Sequence, residues 1–238
     1  LDAGQRLYEK QCAACHGLRG AGDGPAAYLL YPKPRDFTQN EFRLVSTSTM
    51  QATDEDLFLT ITRGMPGSAM PSWETYTPEQ RWALVYYVRQ LTGASEPVDP
   101  SSIIRVPPET PKTPEGVAQG RAIFAQACAS CHGPLGKGDD GHQTMHVDSL
   151  GYPIKPRDLT AGVFKGSSSS QDLYYRIIAG LPGSPMPSYA GVYTDEQVWD
   201  LIHYVQSLVP PGVEDRVRLR AQHVRARRIR GRIPSEPT

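Results

Sequence analysis

The stretch Cys12-Ala-Ala-Cys15-His16 decides the fold of this 238-residue chain, and it recurs as Cys128-Ala-Ser-Cys131-His132. Together the two stretches contain all four cysteines of the sequence. A C-x-x-C-H pentad is typical of c-type haem attachment, in which both thiols bond to the porphyrin edge and the histidine ligates the iron. We therefore predict two covalently bound haem c groups. The attachment residues are Cys12, Cys15, Cys128 and Cys131, and the proximal iron ligands are His16 and His132.

Other uses of paired cysteines fit the sequence less well. Zinc ribbons place two C-x-x-C knuckles about 15–20 residues apart, whereas these pairs are much more distant and each carries its own histidine. A thioredoxin-like site requires a flanking strand–helix–strand pattern, which the sequence lacks. Disulfides are compatible with an oxidising compartment, but they leave the two histidines unexplained.

The chain is a tandem repeat with an offset of 116 residues, which places the first pentad on the second and Met70 on Met186. A period this long predicts duplicated globular domains, since solenoid repeats run about 20–50 residues. Between the copies, residues 97–114 hold six prolines and predict an extended, semi-rigid linker over the domain surfaces. The predicted organisation is a first domain at 1–96, the linker at 97–114, a second domain at 115–210 and a tail at 211–238.

Each copy is predicted to be mostly helical, because no alternating strand pattern of useful length occurs. A threonine cap followed three residues later by glutamine predicts the start of the last helix in both copies. The predicted helices are 2–13, one following Thr53, and one starting at Thr77 in the first copy, and 121–129, 171–179 and one starting at Thr194 in the second.

The second axial ligand of each iron is the remaining question. Met65 aligns with Leu181, and Met50 lies in a stretch that is shorter in the second copy. Met70 and Met186 share the frame Gly-Ser-x-Met-Pro-Ser-aromatic, in which a proline-stiffened loop presents a thioether. We predict that these two methionines ligate iron; the alternative is that they only fill gaps in the core.

The second copy offers rival ligands. His142, Met145 and His146 lie in or near a six-residue insertion after the second pentad. We interpret the two histidines as solvated loop residues, with iron ligation or proton-coupled tuning as the alternative. His203 replaces Tyr86 on the last helix, and we expect it on the helix surface.

These motifs together resemble a tandem di-haem class I cytochrome c, over about residues 2–96 and 115–209. The resemblance implies an all-α fold of two class I cytochrome c domains joined by the proline-rich linker. In that family a glycine lets the first and last helices cross closely and aromatic side chains pack at the crossing. The corresponding residues are Gly4, Tyr8 and Tyr87 in the first copy, and Gly120, Phe124 and Tyr204 in the second.

Two axial ligands per iron leave no open position, and methionine raises the reduction potential relative to bis-histidine ligation. The resemblance therefore implies a one-electron carrier rather than an enzyme, either free or as the cytochrome subunit of a larger redox complex. The alternative is a di-haem enzyme such as a cytochrome c peroxidase, in which one axial methionine is displaced. The duplicated Met-Pro loop disfavours it, because peroxidases make their two haem sites unlike.

Other residues are candidates for contacts with the haem. Arg35 and Arg157, in the repeated Lys-Pro-Arg-Asp motif, are candidates for charge-assisted hydrogen bonds to haem propionates; the alternative is an Arg–Asp turn that only fixes the loop. Trp73 and Tyr189 follow the methionine loop. We expect them at the haem edge or, alternatively, only in the core.

The formal net charge is zero but unevenly distributed, since residues 212–238 carry eight arginines and a net charge of +5. Such a tail is typical of docking to an acidic subunit, an anionic membrane surface or the acidic remainder of the chain itself; the alternative is a solvated tail. Besides the unidentified redox donor and acceptor proteins, we expect no nucleic-acid partner, because haem is attached to C-x-x-C-H outside the cytoplasm. We therefore expect a periplasmic or otherwise exported chain, processed before Leu1 and without a transmembrane segment.

Overall fold

The computed structural model describes residues 2–94, 96–138 and 146–213. This part of the chain is helical and contains no strand, only two isolated β-bridges. The first repeat forms α1 (Asp2–Gln11), α2 (Ala13–His16), α3 (Asp54–Arg63) and α4 (Pro78–Thr92). The second forms α5 (Pro114–Ala127), α6 (Ala129–His132), α7 (Ser170–Ile178) and α8 (Asp195–Ser207).

The crossing of the first and last helices organises each domain. A Cβ at Gly4 would lie 2.1 Å from the Ala83 carbonyl oxygen, so α1 and α4 touch backbone to backbone. Beside this contact, the rings of Tyr8 and Tyr87 pack with centroids 5.1 Å apart. Only glycine permits this approach without displacing a helix.

The second domain repeats the crossing between α5 and α8. A Cβ at Gly120 would lie 2.0 Å from the Asp200 carbonyl oxygen. The rings of Phe124 and Tyr204 pack beside it with centroids 5.3 Å apart. The helix crossing that the family resemblance implied is therefore present in both domains.

The predicted helix starts depend on side-chain caps. Thr77 and Thr194 each accept a hydrogen bond from the backbone of a glutamine three residues later, and that glutamine bonds back to the threonine N–H. Thr53 forms the same capping box with Asp56. Each cap satisfies N–H groups that the first helical turn leaves unpaired.

The predicted start of the first helix in the second domain is wrong. α5 begins at Pro114 rather than Arg121, because the Thr113 side chain accepts from the Gly116 N–H and Pro114 occupies the first turn. This threonine–proline start is the same signal that begins α4. Here the two residues lie at the end of the proline-rich stretch, whose composition predicts a linker instead.

The proline-rich segment contacts both domains. Thr47 and Ile103 form an isolated bridge, and the Ile104 N–H donates to the Ser46 carbonyl at 2.9 Å. The Ile104 side chain packs against the cores of both domains. The segment therefore runs along both domains.

The prediction that His203 lies on the helix surface is wrong. Its side chain is 2% exposed, whereas Tyr86, which aligns with it, is 53% exposed. The cause is the proline-rich segment: Glu109 lies against this face of α8, and its Oε1 is 3.0 Å from His203 Nε2. In the first domain the aligned Tyr86 stacks beside Trp82 and stays exposed.

Polar contacts join the two domains directly. Arg63 forms an ion pair with Asp172 at 2.7 Å, and Arg176, which is buried, donates to the Val45 carbonyl at 2.8 Å. Further cross-domain hydrogen bonds run from Arg157 to the Pro66 carbonyl, from Ser149 to Glu41, and from Tyr31 to the Pro153 carbonyl.

Candidate haem sites

A cavity opens beside the first pentad and brings together residues that are distant in sequence. Its lining includes Cys12, Cys15 and His16 of the pentad, together with Met70 and Trp73. α2 carries the pentad, and the loop between α3 and α4 carries the methionine. The cavity therefore has thiols, an imidazole and a thioether around one space, the donor set that a His/Met haem c requires.

A backbone carbonyl orients each pentad histidine. His16 Nδ1 lies 3.0 Å from the Arg35 carbonyl oxygen, and His132 Nδ1 lies 3.1 Å from that of Arg157. A carbonyl only accepts, so the proton is on Nδ1 and the Nε2 lone pair is left for iron. Burial lowers the pKa of both histidines and favours this neutral form.

All four cysteines are half-buried, and none forms a disulfide with another. Burial raises the pKa of Cys12 to about 12 and that of Cys128 to about 11. A histidine follows each pair of cysteines directly, which fits thioether attachment of haem with histidine ligation of its iron. With the histidine orientation, this spacing indicates that both pentads fit covalent haem.

The two methionine loops have the same backbone. In the first, the Met65 N–H donates to the Met70 carbonyl at 3.2 Å and the Ser68 hydroxyl donates to the Met65 carbonyl at 2.7 Å. The second repeats both bonds with Leu181, Met186 and Ser184, at 3.2 Å and 2.7 Å.

A glycine fixes the base of each methionine loop. Gly64 has a φ of +71°, and a Cβ there would lie 2.5 Å from the Pro71 carbonyl carbon. Gly180 has a φ of +72°, and a Cβ there would lie 2.7 Å from the equivalent atom of Pro187. Both loops therefore hold their methionine by one construction, which the shared sequence frame predicted.

The aspartate and the arginine of the repeated Lys-Pro-Arg-Asp motif make different contacts. Asp36 caps a short 3-10 helix through the Thr38 N–H, and Asp158 does the same through Thr160. The Arg35 guanidinium lines the first cavity and pairs with Glu41 at 2.8 Å. The turn is therefore made by the aspartate, and the arginine side chain is left to other contacts.

Trp73 and Tyr189 lie at equivalent positions with different contacts. Trp73 lines the first cavity and packs on Tyr76, with ring centroids 5.4 Å apart. The Tyr189 hydroxyl donates to the Ala127 carbonyl at 2.8 Å, so it ties the methionine loop to the end of α5.

Two residues that line the first cavity come from the second domain and could not be predicted from the repeat. Ile154 and Lys165, from the second domain, line the first cavity together with Arg43. Sequence alignment of the copies cannot show which residues of one domain approach the other.

Several predictions fall on residues outside the described part of the chain. His142 and Met145 are two of them, and the arginine-rich tail beyond residue 213 is another. His146 lies within the described part, close enough to His132 for its charge to lower the pKa of that histidine. In the described residues no helix has the length and apolar character needed to cross a membrane.

Comparison with known proteins agrees with this geometry. The family model for cytochrome c matches the chain twice, over residues 1–92 and 117–209. A solved structure, titled Kuenenia stuttgartiensis reducing HAO-like protein complex Kustc0457/Kustc0458, contains a similar chain with a TM-score of 0.82 and 38% identity. The match covers 88% of this chain and 97% of that one.

Curated relatives include subunits of cbb3-type cytochrome c oxidases. CcoP of Rubrivivax gelatinosus is 30% identical over 86% of this chain and 53% of its own length. FixP of Sinorhizobium medicae (strain WSM419) is 32% identical over 58% of this chain and 41% of its own length. The chain thus spans about half the length of these relatives, or less. It belongs to the cytochrome c family, as a tandem di-haem member with two covalently bound haem c groups.

Proposed function

We propose that this protein transfers single electrons through two haems that are each ligated by one histidine and one methionine. The axial pairs are His16 with Met70 and His132 with Met186. The haem irons supply the change of oxidation state. The observation that carries the proposal is the duplicated methionine loop, which repeats the same hydrogen bonds in both domains.

The residues of the chain keep both sites closed and rigid. The carbonyls of Arg35 and Arg157 hold the imidazoles in one orientation, and the glycine–proline contacts hold the methionine loops. With haem bound, a histidine and a methionine on each iron would leave no open position for oxygen or peroxide, and the same ligands would serve both oxidation states. Such a site suits electron transfer rather than catalysis.

The relatives suggest where the carrier works. CcoP and FixP are named as oxidase subunits, and the similar solved chain belongs to an HAO-like protein complex. We infer that this chain is the cytochrome subunit of a larger redox complex in an exported compartment. Haem propionate contacts by Arg35 and Arg157, and docking of the basic tail to an acidic surface, are part of the same proposal.

The near-infrared band that arises from methionine-to-iron charge transfer tests the ligation. The oxidised protein should show this band at full two-haem intensity. Met70→Ala and Met186→Ala should each remove about half of it, because each removes one of two equivalent ligands. Met65→Leu is the matched control, since Leu181 stands at this position in the second repeat, and it should keep the full band.

Different outcomes would contradict the proposal. A band that keeps its full two-haem intensity in either alanine variant, or that falls to half in Met65→Leu, would show that another residue ligates that iron. Cyanide or peroxide binding by the resting wild-type protein would instead indicate an open haem and favour the di-haem enzyme.

A further inference from the structure

The first haem cavity is built by both domains. Besides its own pentad and methionine loop, it is lined by Arg35 and Arg43 of the first domain and by Ile154 and Lys165 of the second. Lys165 follows the short 3-10 helix Leu159–Ala161 and precedes α7. A cation from the second domain is therefore part of the wall around the first haem site.

Positive charge accumulates at this wall. Burial, together with the charges of Arg157, Arg43 and Arg35, lowers the pKa of Lys165 to about 8. Burial and the charge of Arg35 lower the pKa of Arg43 to about 10. The four cations thus lie close enough to repel one another, an arrangement that needs nearby negative charge.

The described carboxylates at this wall only partly meet that need. Glu41 pairs with Arg35 at 2.8 Å and also accepts from Ser149 at 2.7 Å. Asp148 reaches Arg43 only at 3.9 Å, and its Oδ1 already accepts from the backbone N–H groups of Leu150 and Tyr152.

Arg43, which lines the same cavity, has a hydrogen-bond donor without a described acceptor. Arg43 Nη1 is buried and has no hydrogen-bond partner among the described residues. A buried charged donor left without an acceptor destabilises the fold. The haem that the cavity fits carries two propionate carboxylates, which are acceptors of the right charge for guanidinium and ammonium groups.

We propose that Arg43 and Lys165 form, with Arg35, a cationic site that binds the propionates of the first haem and raises its reduction potential. This inference rests on the function proposed above. Reduction adds one electron to the haem, so fixed cations beside it stabilise the reduced state. Because Lys165 belongs to the second domain, the docked second domain helps to set the potential of the first haem.

The cross-domain contacts hold Lys165 in this place. Asp172 of the second domain pairs with Arg63, and the Arg157 guanidinium donates to the Pro66 carbonyl in the methionine loop of the first domain at 3.2 Å. These contacts lie on the two sides of Lys165 in sequence. They give the ammonium a fixed position relative to the first cavity, as an electrostatic effect on one haem requires.

Potentiometric titration followed by visible absorption tests the proposal on the full chain loaded with two haems. The titration is done in a Met186→His background, because the ligand change lowers the potential of the second haem and leaves the first as the higher component. Lys165→Gln should then lower the reduction equilibrium constant of the higher component about tenfold, or about 59 mV for one electron. The lower component should stay in place.

Matched variants separate charge from packing. Lys165→Arg keeps the charge and should keep the potential, and Arg43→Gln should shift the same component in the same direction as Lys165→Gln. Lys112→Gln removes the same charge from an exposed position in the proline-rich segment and should shift neither component. Haem content is measured for each variant, so that a folding defect is recognised.

Two results would overturn the inference. One is an unshifted higher component in Lys165→Gln, and the other is an equal shift of both components. Failure of the ligation proposal gives a different result, since Met186→His would then leave both potentials of the parent protein unchanged.

Discussion

Arg35 and Arg157 each make two kinds of contact. Their carbonyls fix the pentad histidines, while their guanidinium groups lie where the domains meet, on Glu41 and on the Pro66 carbonyl. The backbone contact is invisible in the sequence, because any residue has a carbonyl. The repeated Arg-Asp motif predicts a contact for each arginine side chain. It does not predict the contact between each arginine carbonyl and a pentad histidine.

Tyr174 gives a residue-scale prediction about pH. Its hydroxyl donates to Asp195 at 2.8 Å, and burial, with that hydrogen bond, raises its pKa well above the ordinary value of 10. In the unfolded chain the phenol releases its proton near pH 10. The free energy of unfolding that this group contributes is therefore complete below pH 10 and decreases as the pH rises above it.

Denaturant unfolding from about pH 9 to about pH 11 measures this contribution. Tyr174→Phe should weaken the loss of stability at alkaline pH, and should lower stability at neutral pH because it removes the bond to Asp195. Tyr8 is also buried with a raised pKa, so some alkaline loss should remain. An identical pH slope in both proteins would contradict this account.

At the scale of elements, the two helix crossings depend on glycine. Gly120→Ala would place a methyl group 2.0 Å from the Asp200 carbonyl oxygen, so α5 and α8 must separate. We expect a loss of roughly 1–3 kcal/mol in the free energy of unfolding, measured by denaturant titration of the haem-loaded protein. Gln119→Ala changes an exposed neighbour on the same helix and should stay within about 0.5 kcal/mol. Equal stability of the Gly120→Ala variant and the wild type would show that the crossing tolerates a side chain.

Local signals predicted most of the elements. The threonine caps gave the starts of α4 and α8, because a cap involves only four consecutive residues. The two methionine loops were predictable because the frame Gly-Ser-x-Met-Pro-Ser-aromatic occurs once in each copy. The predicted start of α5 is wrong because Thr113 and Pro114, which cap and begin the helix, lie within a stretch whose many prolines predict a linker.

The misprediction for His203 has a different cause. Alignment with exposed Tyr86 assumes that both copies have the same surroundings, yet Glu109 of the proline-rich segment lies against α8. Alignment of the copies also could not predict that Lys165 lines the first haem cavity, for the same reason. Contacts between copies are set by docking of the domains, and no periodicity within one copy encodes them.

On the scale of the whole molecule, charged side chains of each domain contact the other domain. Buried Arg176 bonds to the Val45 carbonyl, and the ion pair of Arg63 with Asp172 lies on the same interface. Lys165 of the second domain lies in the wall of the first haem cavity. The first haem site is therefore surrounded by side chains of both domains.

Stopped-flow re-oxidation of the fully reduced protein by a one-electron oxidant tests the central claim most directly. We predict that both haems re-oxidise on the timescale of turnover and that each chain delivers two electrons in single steps. Re-oxidation of one haem while the other stays reduced on that timescale would contradict the account.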